Sequence, residues 1–345
     1  MSLLWIDGFD HYGGQAARML DGVYAQIEAV TLTSVGARTG QRCASVQVGY
    51  NDSGMRRVLP LATDTVGFGF AFNINQLPTR SFDLGLGQVL DQDNVAMATL
   101  IIMPTGAIVL RLGGRTGSVL AQSDPETVLP GSFQHFECQF SPAGCEVRIN
   151  GVTVLNSVDS GVTRPIAQLY LGGCQGFPKT GATAVTMLVD DLFARDGLGS
   201  TNNSWIGDQK VYTRLPDEDG PEQDWAPSTG SEAWPILDNV PPIDSEFISA
   251  VEAAKRTSVG MAAFPDEIVA ISGVYTATRL WKTDAGNAKV AVDVISGASE
   301  TDNAPHPLST APRWYGDMFE VNPATGLPWL VTDINAAQVV IDRTE

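Results

Sequence analysis

The sequence predicts an all-β protein: an antiparallel β-sandwich over residues 1–200, followed by a second β-rich domain over residues 201–345. Three observations predict it. Apolar side chains alternate with period two in segment after segment, the pattern that buries one face of an antiparallel sheet and wets the other. These segments are short and divided by turn residues, as in a sandwich of two sheets. Glycine (35) and proline (20) are spread along the 345 residues rather than clustered, which supplies many turns. A chain of this length exceeds the ~250 residues at which one core stops growing, so two domains are expected.

The elements follow in order. Residues 15–20 predict one or two helical turns. Residues 44–48 alternate, and so do residues 68–74, where Phe68, Phe70 and Phe72 share a face. Residues 99–103 and 107–112 are apolar runs joined by Pro104-Thr105-Gly106, a hairpin. Residues 136–140 and 145–149 flank Ser141-Pro142-Ala143-Gly144, a second hairpin in which Phe140 faces Cys145 and Cys138 faces Val147. Asn150-Gly151 is the strongest two-residue turn signal, and residues 152–155 return from it. Residues 169–171 and 187–189 complete the set. Beyond Asp196 the pattern lapses: residues 197–204 and the acidic residues 217–224 read as surface loops, and Pro241-Pro242 follows. Residues 245–256 predict a short helix with Ser249 and Glu252 at capping-box spacing. Strands resume over residues 268–275, 278–282, 289–295 and 339–341.

Charge excludes some functions. Lys+Arg is 21 against Asp+Glu 39, a net charge of −18. Nucleic-acid binding needs a basic surface to replace phosphate counterions, so no nucleic-acid partner is expected. Membrane insertion is not expected either: the most apolar stretch, residues 95–103, ends at Pro104, short of the ~20 residues a spanning helix needs. The N-terminus carries Asp7 and Asp10 and no basic region, unlike a secretory signal, so synthesis and folding in a cytoplasm are expected. Cys43, Cys138, Cys145 and Cys174 form no C-x-x-C pair and are expected to be free, buried thiols.

Catalytic and metal signatures are missing from the sequence. It lacks G-x-S-x-G, H-E-x-x-H and a phosphate loop. The three histidines, His11, His135 and His306, are far apart. The paired carboxylates of a β-sandwich glucanase, E-x-D-x-x-E, are met only as Glu222-Gln223-Asp224, with Pro227 in the third place. The acidic loop from Asp217 to Asp224 fails the EF-hand pattern at Leu215 and Ala226. Asp190-Asp191 should point to opposite faces of a strand. No catalytic residue, cofactor or metal is therefore expected. Six of the seven tryptophans lie after residue 200, and aromatics in polar loops form stacking platforms or interface anchors. Trp225, Trp234, Trp314 and Tyr315 are the candidate recognition residues.

The motifs carry a resemblance. Ile6-Asp7-Gly8-Phe9-Asp10-His11-Tyr12 resembles the opening of tailed-bacteriophage and prophage virion proteins. Cys145-Glu146-Val147-Arg148-Ile149-Asn150-Gly151 resembles a strand-turn of concanavalin A-like (laminin G-like) jelly rolls. Val189-Asp190-Asp191-Leu192-Phe193-Ala194-Arg195-Asp196 is similar to the closing strand of the phage versions, and Ile206-Gly207-Asp208-Gln209-Lys210-Val211 to the segment after it. Trp281-Lys282-Thr283-Asp284-Ala285-Gly286 and Asn322-Pro323-Ala324-Thr325-Gly326-Leu327-Pro328-Trp329 resemble their C-terminal half. The resemblance implies a concanavalin A-like jelly-roll domain in a virion structural protein: a tail-tip, fibre or head-decoration component, non-enzymatic, resident in the virion. Its expected partners are further copies of itself, other virion proteins and a host-surface glycan. The alternative is a carbohydrate-binding module or glycan-active enzyme on the same β-sandwich.

Overall fold

The computed structural model describes residues 2–48, 52–79, 83–176, 185–264 and 268–345. They form an all-β, multi-sheet structure in two compact units: Met1–Asp10 with Gly14–Tyr212, and His11–Gly13 with Thr213–Glu345.

The first unit holds β1 (Leu3–Asp7), β2 (Gln26–Glu28), β3 (Val30–Thr33), β4 (Cys43–Val48) and β5 (Ser53–Thr63). Then come β6 (Val66–Ile74), β7 (Leu84–Leu90), β8 (Ala96–Ile102), β9 (Ile108–Leu112) and β10 (Val119–Gln122). It closes with β11 (Gln134–Ser141), β12 (Gly144–Ile149), β13 (Val152–Ser157), β14 (Ile166–Cys174) and β15 (Val185–Arg195). The first sheet has the order β13-β12-β11-β6-β15-β4-β3, with β1 also on β15; the second runs β10-β9-β8-β7-β14-β5-β2. The paired strands are antiparallel, and the inner faces of the two sheets meet: a Cβ at Gly87 of β7 would touch Phe68 of β6.

The alternation of β6 explains that core. Phe68, Phe70 and Phe72 point inward and are fully buried. Across the ladder Phe136 faces Phe70 and Cys138 faces Phe68, and the Phe70 and Phe136 ring centres lie 5.0 Å apart. Gly67 and Gly69 occupy the outward positions because side chains from β15 lie flat there. A Cβ would come within 2.6 Å of the Arg195 guanidinium at Gly67, and within 2.6 Å of the Phe193 ring at Gly69.

The β11–β12 hairpin has the expected register, Phe140 opposite Cys145 and Cys138 opposite Val147. Asn150 and Gly151 both take positive φ, 50° and 79°, as a two-residue hairpin turn demands. β8 and β9 pair through Ile102 and Ile108 around Gly106. The four cysteines are free and buried. Burial, then Asp190 and Asp10, pushes the Cys43 thiol up to about 12. Residues 16–20 form a single short 3-10 helix.

The second unit has β16 (Pro216–Gln223), β17 (Ala226–Pro227), α1 (Trp234–Leu237), β18 (Ile248–Ser249), β19 (Lys255–Met261) and β20 (Val274–Leu280). It continues with β21 (Lys289–Ser296), β22 (Ser299–Glu300), β23 (His306–Pro307), β24 (Arg313–Phe319), α2 (Val331–Asn335) and β25 (Gln338–Arg343). The main sheet runs β16-β19-β25-β21-β22 with β23 on β21; β17-β18 and β20-β24 are separate ladders.

Three expectations are corrected here. The acidic residues 217–224 do not form a loop: most of them make β16, an edge strand, where Pro216, Pro221 and clustered carboxylates are tolerated because, among the described residues, only one side of the strand pairs with another strand. Residues 245–256 form no helix. Residues 251–254 are exposed, so a helix there would have no apolar face to bury. The strand expected over residues 268–275 begins only at Val274.

Candidate functional site

The outer face of the second sheet carries a row of polar side chains. Gly87 faces inward, so Gln88 faces outward, and strict alternation sets its neighbours. Register places Arg111 opposite Thr99, Thr99 opposite Gln88, Gln88 opposite Tyr170, Tyr170 opposite Arg56 and Arg56 opposite Gln26. Six polar residues on β9, β8, β7, β14, β5 and β2 thus cross the sheet in one line, at about 4.8 Å per strand. Chance wetting of a sheet face would leave such residues exposed, but Thr99, Gln88 and Tyr170 are fully buried and the two arginines half-buried.

Hydrogen bonds fix the geometry. Gln88 Nε2 donates to Thr99 Oγ1 at 2.7 Å, and Thr99 Oγ1 donates to the Gly113 carbonyl at 2.6 Å. Arg111 Nη1 donates to the Gly117 carbonyl at 2.9 Å. Arg56 Nη1 donates to Asn94 Oδ1 at 2.7 Å and to Gln168 Oε1 at 3.1 Å. The Tyr170 hydroxyl and the Nε atoms of Arg56 and Arg111 are buried without a hydrogen-bond partner among the described residues. Burial, then the Asp52 carboxylate, pushes the Tyr170 phenol above its ordinary range, so it stays a neutral donor. Beside the row lies a pocket of about 390 Å³ lined by Gln88, Asp52, Arg115, Thr116 and Gln175 among others. The Gln175 backbone N–H donates to Gln88 Oε1 at 3.3 Å, and Arg115 pairs with Asp83 at 3.8 Å. Guanidinium, amide, hydroxyl and phenol in one line suit a ligand rich in hydroxyls and carrying an anion: guanidinium takes carboxylate by paired, charge-assisted bonds, and the remaining groups both donate and accept.

The sequence candidates lie elsewhere, in the second unit. Trp225 is buried among Leu280, Val290, Val292 and Ile341, its Nε1 donating to the Lys255 carbonyl at 2.9 Å. Tyr315 packs against the same cluster, and its hydroxyl donates to the Pro307 carbonyl at 3.2 Å. Trp314 is buried on β24, with the His11 ring edge-on at 4.8 Å. Trp234 is half-buried at the start of α1, where its amide and that of Ala233 donate to Asp219.

Asp190 and Asp191 do not point apart as an unbroken strand would have it. Asp191 takes φ 53° and the ladder is irregular between Asp190 and Phe193, so both carboxylates reach the loop at Arg38 and Thr39. Burial, then the Asp191 charge, raises Asp190 to about 7. Their partners are chain amides, Thr39 and Arg38, which anchor the loop. Among the described residues no group of three or more His, Cys, Asp or Glu side chains could hold a metal ion.

Sequence reasoning missed the polar row. Its signal was present in Leu169-Tyr170-Leu171 and Leu110-Arg111-Leu112, but the outward residue of an alternating strand reads as ordinary wet face until register aligns it with its neighbours.

No family model matches the sequence, and no curated protein matches it. Solved structures do. A sialidase superposes with a TM-score of 0.35 and 13% identity over 48% of this chain and 16% of its own. A family 7 alginate lyase gives 0.39 and 14% over 50% of this chain and 84% of its own. The sialidase of Trypanosoma rangeli gives 0.33 and 16% over 48% and 27%. This chain thus spans less than a third of either sialidase. Likeness at this level assigns this chain neither activity nor substrate. It does correct the resemblance to tailed-bacteriophage virion proteins. The matched structures are carbohydrate-active enzymes, and the reading of a non-enzymatic tail-tip, fibre or head-decoration protein is overturned with it.

Proposed function

We propose that this chain is a carbohydrate-active protein whose first unit is a concanavalin A-like jelly roll. An acidic saccharide chain lies across the outer face of the second sheet. The observation that carries the reading is the in-register row Arg111–Thr99–Gln88–Tyr170–Arg56, buried yet with donor atoms left unpartnered among the described residues. Polar atoms buried in this way cost about 1–3 kcal/mol each when unpaired. Arg56 and Arg111, the half-buried members, take the saccharide's carboxylates; the buried Gln88, Thr99 and Tyr170 hold the row in register beneath them.

A glycan array of neutral and carboxylated chains tests this, followed by incubation with the chains retained. Retention of carboxylated over neutral chains is expected, and shorter chains after incubation would mark turnover. Equal retention of both classes, or of neither, contradicts the reading.

A further inference from the structure

The outer face of the first sheet carries a second polar cluster, under a length of chain without regular secondary structure. After β15 the chain turns back, and residues 204–211 cross this face. Trp205 stacks on the Arg148 guanidinium at 3.9 Å. The amides of Ile206 and Gly207 each donate to the Glu137 carboxylate at 3.0 Å. Asp208 takes both its oxygens to Arg38 Nη2, at 2.6 and 2.7 Å, and the Val211 amide donates to Asp191 Oδ1 at 2.7 Å. Next to Glu137 on the same face of β11 is His135. It is 3% exposed, its ring lies parallel to Phe193 at 6.2 Å, and neither ring nitrogen has a hydrogen-bond partner among the described residues.

We propose that residues 204–211 form a strap that acid releases from the first sheet, with protonation of His135 as the trigger. An imidazolium has two N–H donors, and among the described residues neither nitrogen of the nearly buried His135 has an acceptor. The charged groups facing it are Asp208 of the strap, which favours protonation, and Arg38 of the neighbouring loop, which opposes it. Asp208 is already engaged by Arg38. Glu137 lies two residues along β11, and Asp190 lies in the same cross-strand row beyond Ala71. Burial holds the His135 imidazole at about 4 against an ordinary 6.5.

The sign follows. Strap closure keeps its strength above pH 6.5 and loses it as pH falls towards 4, a shift of roughly 80-fold towards the open state between pH 6.5 and pH 4. Glu137 and Asp191, which accept from the strap, act the other way: burial holds both carboxyls above the usual range, so their protonation favours closure. Opening lays bare Trp205, Arg148, Arg195 and Glu137 together.

Hydrogen–deuterium exchange of residues 204–211, corrected for intrinsic rates, tests this between pH 7.5 and 4.5 in the wild type and in His135→Leu. Protection in the wild type is expected to fall on acidification by tens of fold or more, and to hold in His135→Leu. Unchanged wild-type protection, or the same fall in both, overturns the proposal. Should His135→Leu not fold, histidine-ring NMR of the wild type decides. His135 titrating in step with strap opening supports it; titration near 6.5 with the strap closed overturns it.

Discussion

Phe70 sits in the middle of the first unit's aromatic core, fully buried between Phe72 and Phe136. Phe70→Ala removes a ring from a close-packed site and should lower the unfolding free energy by about 3–5 kcal/mol in urea titration; a loss under about 1 kcal/mol would contradict its placement. Gly69→Ala tests the opposite fault. A Cβ there meets the Phe193 ring at 2.6 Å and the Phe136 carbonyl at 2.8 Å, so overpacking should cost about 1–3 kcal/mol. Asp190 makes a pH prediction. Its carboxyl titrates near 7 when folded and near 3.8 when unfolded, so the stability its proton contributes is complete below 3.8 and lost as pH rises through 7. Measured against Asp190→Asn, the wild type should gain relative stability as pH falls from 7 to 4; a difference independent of pH would contradict the assignment.

At the scale of elements, hairpins were legible and edges were not. Alternation together with Asn150-Gly151 specified β11, β12 and β13 down to the facing of Cys138 and Val147, because turn chemistry and period two constrain the same register. β16 escaped because an edge strand needs only one partner, and its acidic, proline-bearing sequence obeys the rules of edges rather than of strand interiors. The polar row escaped for a related reason. Each member is an unremarkable outward residue of its own strand, and only the pairing of the β7–β8–β9 meander with β14 and β5, distant in sequence, aligns them. The tryptophans stood out by composition, yet composition cannot tell a ring in a loop from one packed on a sheet, as Trp225 is. In the second unit Asp219 of β16 accepts from the first amides of α1, so Asp219→Ala should cost about 1 kcal/mol in thermal unfolding; no change would show that the contact is idle.

For the molecule as a whole, buried thiols and surface charge frame the account. All four cysteines are buried, so a thiol reagent should label none of them quickly in the native protein and all four in denaturant without reductant; prompt native labelling would contradict the burial. A net charge of −18 repels an anionic ligand at long range, so affinity for an acidic saccharide must come from the local arginines of the row. Calorimetric titration of an acidic oligosaccharide into the wild type, Arg56→Ala, Tyr170→Phe and Trp234→Ala tests that most directly. Roughly tenfold or greater loss of affinity is expected for Arg56→Ala and a smaller loss for Tyr170→Phe, with Trp234→Ala binding as the wild type does. Undiminished binding by both row variants, with loss in Trp234→Ala, would contradict it.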